Sequence, residues 1–161
     1  MKKALFLLML LAAAWALSAC APARGAMRDG YYTAEFSDFD QFGWKEFVTM
    51  YVNNNRIVSV DYDARNASGF VKSWDMAFMR AMRAQDGTYP NRYARGYAAM
   101  LLDYQNAEDI DALSGATYSC ETFRALAAAA IDKAQAGDRT VALVERPSRA
   151  AQEPTGAGDS P

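Results

Sequence analysis

Seven consecutive residues, Asp111-Ala112-Leu113-Ser114-Gly115-Ala116-Thr117, set a small Ser-Gly-Ala turn before a threonine, and an alanine-rich segment follows. If that segment is a helix, Thr117 stands where backbone N–H groups have no intrahelical partner. Those donors and the positive end of the helix dipole attract a phosphate. Gly115 has no Cβ, so a ligand can approach the backbone there. Ser114 and Ser119 add hydroxyls, and the amides of Gly115, Ala116 and Tyr118 add further donors. The same residue types are ordinary capping and turn residues. Two readings therefore stand on these residues alone: a capped helix, or a phosphate held at Thr117.

Histidine is absent from the whole chain. That removes Ser-His-Asp and Cys-His catalysis, the usual zinc ligands and any histidyl-linked flavin. Chemistry must come from a bound cofactor, or from carboxylates and tyrosines.

The elements that would position the motif can be read along the chain. Residues 30–36 are rich in aromatic and β-forming types and read as a strand. Residues 39–44 read as a loop containing Gly43. Residues 46–52 alternate, with Val48, Met50 and Val52 on one face and Phe47, Thr49 and Tyr51 on the other. After Asn53-Asn54-Asn55, which suit left-handed turn conformations, residues 56–63 alternate again with Val58, Val60 and Tyr62 together. The two runs predict a β-hairpin. Val71, Trp74, Phe78 and Met82 predict a helix over residues 70–84, ended by Asp86-Gly87. Pro90 suits the first turn of a second helix bearing Tyr93, Tyr97, Leu101 and Tyr104. Phe123, Leu126, Ala130 and Ile131 give a third amphipathic helix over residues 118–134. Residues 140–145 read as a last strand. The expectation is an α+β domain, a small antiparallel sheet packed with about three helices, over residues 29–146. A disordered tail of Ala, Gly, Pro and Ser is expected over 147–161.

At the N-terminus, Lys2 and Lys3 precede an apolar run of about 14 residues, short of the roughly 20 that span a bilayer. A basic start, a short apolar stretch and small residues form an export signal. Leu17-Ser18-Ala19-Cys20 resembles the lipobox of bacterial lipoproteins. That resemblance implies removal of residues 1–19, acylation of Cys20, and a tether of residues 20–28 holding the domain to the bilayer. The cut segment holds Lys2 and Lys3 and no acid, so the formal charge goes from −2 to −4. This argues against nucleic acid as a partner. With Cys20 acylated, Cys120 has no partner for an intramolecular disulfide, and it is expected partly buried in the first turn after the motif.

The motif itself matches Asp-x-x-Ser-Gly-Ala-Thr of the FMN-binding domain family. That family includes the flavin-carrying C subunit of the sodium-pumping NADH:quinone reductase and the G subunit of Rnf-type complexes. Asp29-Gly30-Tyr31-Tyr32, Trp44-Lys45 and Val60-Asp61-Tyr62-Asp63 resemble, in the same order, segments of small FMN-binding lipoproteins. The resemblance implies FMN bonded through its phosphate to Thr117, and a separate magnesium-dependent FAD:protein FMN transferase that makes the bond. It assigns Asp111 to the motif, either orienting the loop and presenting Thr117 to the transferase or only capping the turn. It implies an electron carrier working with redox partners on the extracytoplasmic face of a cell membrane or outer membrane. An FMN-dependent reductase of a small acceptor, and an unmodified binding or structural lipoprotein, are the alternatives. Trp44 and Tyr62 are candidates to face the isoalloxazine ring, although an aromatic in a hairpin of a small domain more often fills the core.

Overall fold

The computed structural model describes residues 25–147. The expected signal of residues 1–19, Cys20, the start of the tether and the tail beyond Pro147 lie outside the described residues.

Four strands form one sheet in the order β3-β2-β1-β4: β1 is Gly30–Phe36, β2 Lys45–Asn53, β3 Arg56–Arg65 and β4 Ala142–Val144. The β2–β3 hairpin turns at Asn54 and Asn55, with φ of 52° and 59°. Two successive left-handed residues match the twist of the flanking strands. The expected outline of the hairpin holds, but its alternation breaks at one point. Val52 pairs with Ile57 while Tyr51 pairs with Ser59, so Val58 is an extra residue, a β-bulge. Val58 is turned outward and Ile57 takes the buried position. Val60 and Tyr62 therefore share the inner side with Ile57, not with Val58.

Three α-helices follow: α1 Met76–Asp86, α2 Pro90–Tyr104 and α3 Thr117–Ala136. The α+β expectation stands. Helix α1 starts later than its apolar spacing predicts, because the Asp75 side chain caps it, accepting from the amides of Ala77 and Phe78 at 3.1 and 2.9 Å. Residues 72–74 instead form a 3-10 turn, so Val71 and Trp74 do not continue the Phe78–Met82 stripe. Gly87, at φ 70°, ends α1 in the left-handed conformation.

Helices α2 and α3 cover one face of the sheet. Tyr32, Phe36, Val48, Met50 and Val52 meet Tyr97, Leu101, Phe123 and Leu126 in the core. Tyr97 stacks on Phe123 with ring centroids 5.5 Å apart. Ala127, Ala130 and Ala134 are fully buried, and their small side chains let α3 lie close to the sheet. Among the described residues, no buried side-chain nitrogen or oxygen lacks a hydrogen-bond partner. One strand departs from the antiparallel expectation. β4 pairs parallel with β1, Ala34 opposite Ala142, since a helical crossover such as α3 delivers the next strand in its neighbour's direction.

Candidate functional site

The motif residues fold as the sequence suggests, into a turn that hands directly to a helix. The Ala116 amide donates to the Leu113 carbonyl at 2.9 Å, closing a turn in which Gly115 takes φ 75°. Thr117 is the first residue of α3 and is exposed. No side chain caps this helix. The capping reading of the Ser and Thr residues is therefore not the one the fold uses.

Gly115 has a further reason to be glycine. A Cβ there would come within 2.2 Å of the Asp86 carbonyl oxygen. The close approach is made by the chain's own backbone at the end of α1, which locks that end against the motif. On the other side, Tyr97 pins the turn at both ends. Its hydroxyl accepts from the Leu113 amide at 3.2 Å and donates to the Ala116 carbonyl at 2.8 Å. Gly96, one residue earlier on α2, leaves room for the Leu113 side chain.

Thr117 opens into a cleft of about 710 Å3. Gly115, Ala116, Thr117, Tyr118 and Ser119 form one side of it, and α1 forms another. No residue of α1 is buried. Its members on the cleft, Phe78, Ala81, Met82 and Gln85, follow helical spacing. The amphipathic stripe that the sequence presents as core thus largely faces the cleft. The loop of residues 39–42 supplies Phe39 and Phe42, the latter 71% exposed. That loop is shaped by Asp40, whose carboxylate accepts from the amides of Phe42 and Trp44, both at 2.8 Å.

Two cations, Lys72 and Arg146, complete the wall. Arg146 is bound to the buried Glu46 carboxylate at 2.6 Å and lies over the Phe36 ring. It also donates to the Trp44 and Asp38 carbonyls, at 3.4 and 3.5 Å, which fastens both ends of the aromatic loop. Burial opposes its charge, yet Glu46 and, after it, Tyr118 together outweigh burial and hold the guanidinium above its ordinary value. Lys72 Nζ stands 5.0 Å from the Phe78 ring centroid and 5.8 Å from that of Trp44.

Other candidates sit elsewhere. Asp111 and Ser114 are exposed and do not line the cleft. Trp44, 8% exposed, and Tyr62 belong to the interior. The Tyr62 hydroxyl donates to Glu46 at 2.9 Å and lies 3.2 Å from the Thr122 hydroxyl. Burial, then the Glu46 charge, pushes its ionisation well above the ordinary tyrosine value. Cys120 is more deeply buried than expected, with its thiol on the Ile110 carbonyl at 3.6 Å. Burial raises its ionisation; Arg124 opposes this, while Asp111 and Glu121 add to it. Sequence reasoning missed Phe39, Phe42, Phe78, Lys72 and Arg146 as cleft residues. Only Phe39 and Phe42 gave a signal: large apolar side chains in a loop with no periodic partner.

The volume falls within the range of small-molecule sites, roughly 300–1,000 Å3. An uncapped helix start and hydroxyls suit a phosphate, three phenylalanines suit a flat aromatic ring, and the cations on the wall suit an anionic ligand. The donor set thus fits a flavin mononucleotide. The profile of a family described as the FMN-binding domain matches residues 43–132, from just after the aromatic loop through most of α3. Over 118 residues the chain is 36% identical to the 15 kDa lipoprotein of Treponema pallidum (strain Nichols), covering 73% of this chain and 83% of that protein. The crystal structure of the CPE2226 protein from Clostridium perfringens superimposes with a TM-score of 0.71 at 28% identity, covering 74% of this chain and 98% of that one.

Proposed function

This chain belongs to the FMN-binding domain family, and from that premise we propose that it is a lipid-anchored electron carrier whose FMN is bonded through its phosphate to Thr117. One observation carries the reading: an exposed threonine at the uncapped start of α3 opens into a cleft whose other wall is the unburied apolar stripe of α1. The Thr117 hydroxyl oxygen provides the ester. Ser119, with the helix N-terminus behind it, offers donors to the phosphate. Phe39, Phe42 and Phe78 offer apolar area to the ring. Bound FMN supplies one- and two-electron exchange, and the protein supplies position and field.

A threonine hydroxyl needs an activating base or metal, and the chain has no histidine. This supports attachment by a separate FAD:protein FMN transferase with magnesium. In that reaction the Thr117 oxygen bonds to the FMN phosphorus, the phosphoanhydride of FAD breaks, AMP leaves, and the hydroxyl proton passes to solvent. Outside the cytoplasm a dissociated flavin is not replaced, which gives the covalent bond its value. The lipoprotein name of the Treponema relative supports cleavage before Cys20 and acylation there. Residues 20–28 then tether the domain of residues 29–146 to the extracytoplasmic face of the cell membrane or outer membrane, within reach of membrane redox partners.

The test is co-expression with the transferase, denaturation, and mass analysis of the Thr117 peptide. Wild type keeps flavin on that peptide, while Thr117→Ala is folded and colourless. Flavin lost on denaturation, or found on another peptide, refutes the assignment.

A further inference from the structure

Of the two cations on the cleft wall, only Arg146 is matched by a carboxylate among the described residues. We propose that Lys72, the unmatched one, sets the electron affinity of the flavin in this cleft by standing its ammonium against the negative charge the ring gains on reduction. The inference rests on the FMN reading above and assigns a role within that site.

Lys72 is placed for this by its backbone. The chain just before it is tied to β3, where Val71 bridges Arg65. Just after it, the Ser73 amide donates to the Asp63 carboxylate at 3.2 Å. The Asp75 amide donates to the carbonyl of Lys72 itself at 3.0 Å, within the 3-10 turn that runs into the α1 cap. The backbone of Lys72 is therefore held between the sheet and the helix that walls the cleft. Its side chain is half-buried and lies over Phe78 and Trp44. The aromatic faces hold the ammonium by cation–π attraction and leave its charge uncancelled. Of the acids nearby, Glu46 is bound to Arg146, Asp40 accepts two amides, and Asp63 accepts the Ala64 and Ser73 amides. Among the described residues no carboxylate lies within ion-pair distance of Lys72.

When the ring takes up two electrons and one proton it gains one negative charge. A nearby half-buried cation stabilises that charge more than water-screened charges do. Lys72 thus favours the reduced ring, and removing its charge favours the oxidised one. Arg146 does not substitute, since its charge is already balanced by Glu46.

The experiment uses wild type, Lys72→Met, Lys72→Arg and Lys72→Glu, each flavinylated by the transferase and checked by intact mass. The two-electron potential is measured by titration with dithionite against a reference dye. The dissociation constant of sulfite, which adds to the oxidised ring and leaves it anionic, is read from flavin bleaching. Lys72→Met is expected to weaken sulfite binding at least tenfold and to shift the reduction equilibrium by at least tenfold, about 30 mV for a two-electron couple. Lys72→Glu shifts both further in the same direction, and Lys72→Arg stays within threefold of wild type. Flavinylated Lys72→Met with wild-type potential and sulfite affinity overturns the inference and leaves the attachment at Thr117 standing. A change only in the flavinylated fraction, with the potential unmoved, also overturns it, because Lys72 then serves the phosphate. A wild type without covalent flavin defeats the parent reading and this one together.

Discussion

The Tyr97 hydroxyl donates to the Ala116 carbonyl at 2.8 Å, so a residue in the middle of α2 holds the turn that ends at Thr117. The same oxygen accepts from the Leu113 amide. Tyr97 is fully buried, and so is its bond to the Ala116 carbonyl. Tyr97→Phe takes the acceptor from the Leu113 amide and one of two donors from the Ala116 carbonyl, which keeps the Cys120 amide at 3.0 Å. The expected loss is about 1–3 kcal/mol, measured by urea denaturation, together with a smaller flavinylated fraction by mass. Unchanged stability would show that the turn is held elsewhere.

Gly115→Ala is the sharper lesion. A methyl group there meets the Asp86 carbonyl, and the residue must also keep φ 75°. Overpacking costs about 1–3 kcal/mol and the left-handed conformation about 1–2 kcal/mol. We expect a lower denaturation midpoint and loss of flavin attachment, as α1 and Thr117 move apart. Normal flavinylation in a stable Gly115→Ala protein would contradict the packing account.

The alkaline limb of stability has a defined sign. Tyr62, Tyr93 and Tyr97 all have their ionisation raised, in each case chiefly by burial, with Glu46 contributing at Tyr62 and Tyr93. Below pH 10 each of these groups is neutral in both the folded and the unfolded chain, and its contribution to folding is fully present; above pH 10 the unfolded chain ionises first. That contribution is lost as pH rises through the folded values. Ultraviolet titration should therefore show fewer than the nine tyrosines of the chain ionising before the near-ultraviolet circular dichroism collapses. Smooth ionisation of all nine in a folded protein would be inconsistent with this burial.

Cys120 is expected to be unreactive in the native protein. Its thiol is buried and its ionisation raised, so the thiolate fraction at neutral pH is small. Maleimide labelling should be slow in buffer and rapid in guanidinium. If Cys20 is acylated, one label per chain results. A second label, or a peptide joining Cys20 to Cys120, would contradict the lipid assignment.

The strands and the two core helices were legible because their side chains carry the periodicity of the surface they bury. Tyr32, Ala34 and Phe36 alternate, and Tyr93, Tyr97 and Leu101 recur with the helix. The bulge at Val58 was not legible, since a valine inserted among valines leaves the alternation of types intact. Helix α1 misled for a related reason. Phe78 and Met82 carry the spacing of a core face, but periodicity records only that a face is apolar, not what covers it. Thr117 and Gly115 were found from a local motif. Lys72 and Arg146 were not, because they reach the cleft through tertiary placement from segments far from the motif.

Arg146 adds a matter of timing. It follows the last strand of the domain, and its contacts run back to Asp38, Trp44 and Glu46 near the beginning. A chain synthesised from its N-terminus carries Thr117 well before it carries the clamp on the aromatic loop. β4, which brings Arg146 into place, pairs with the first strand. The acceptor threonine therefore exists before its cleft does. A modifying enzyme that reads the assembled cleft would act only on chains whose two ends have met, and the flavin would then mark molecules that have finished folding.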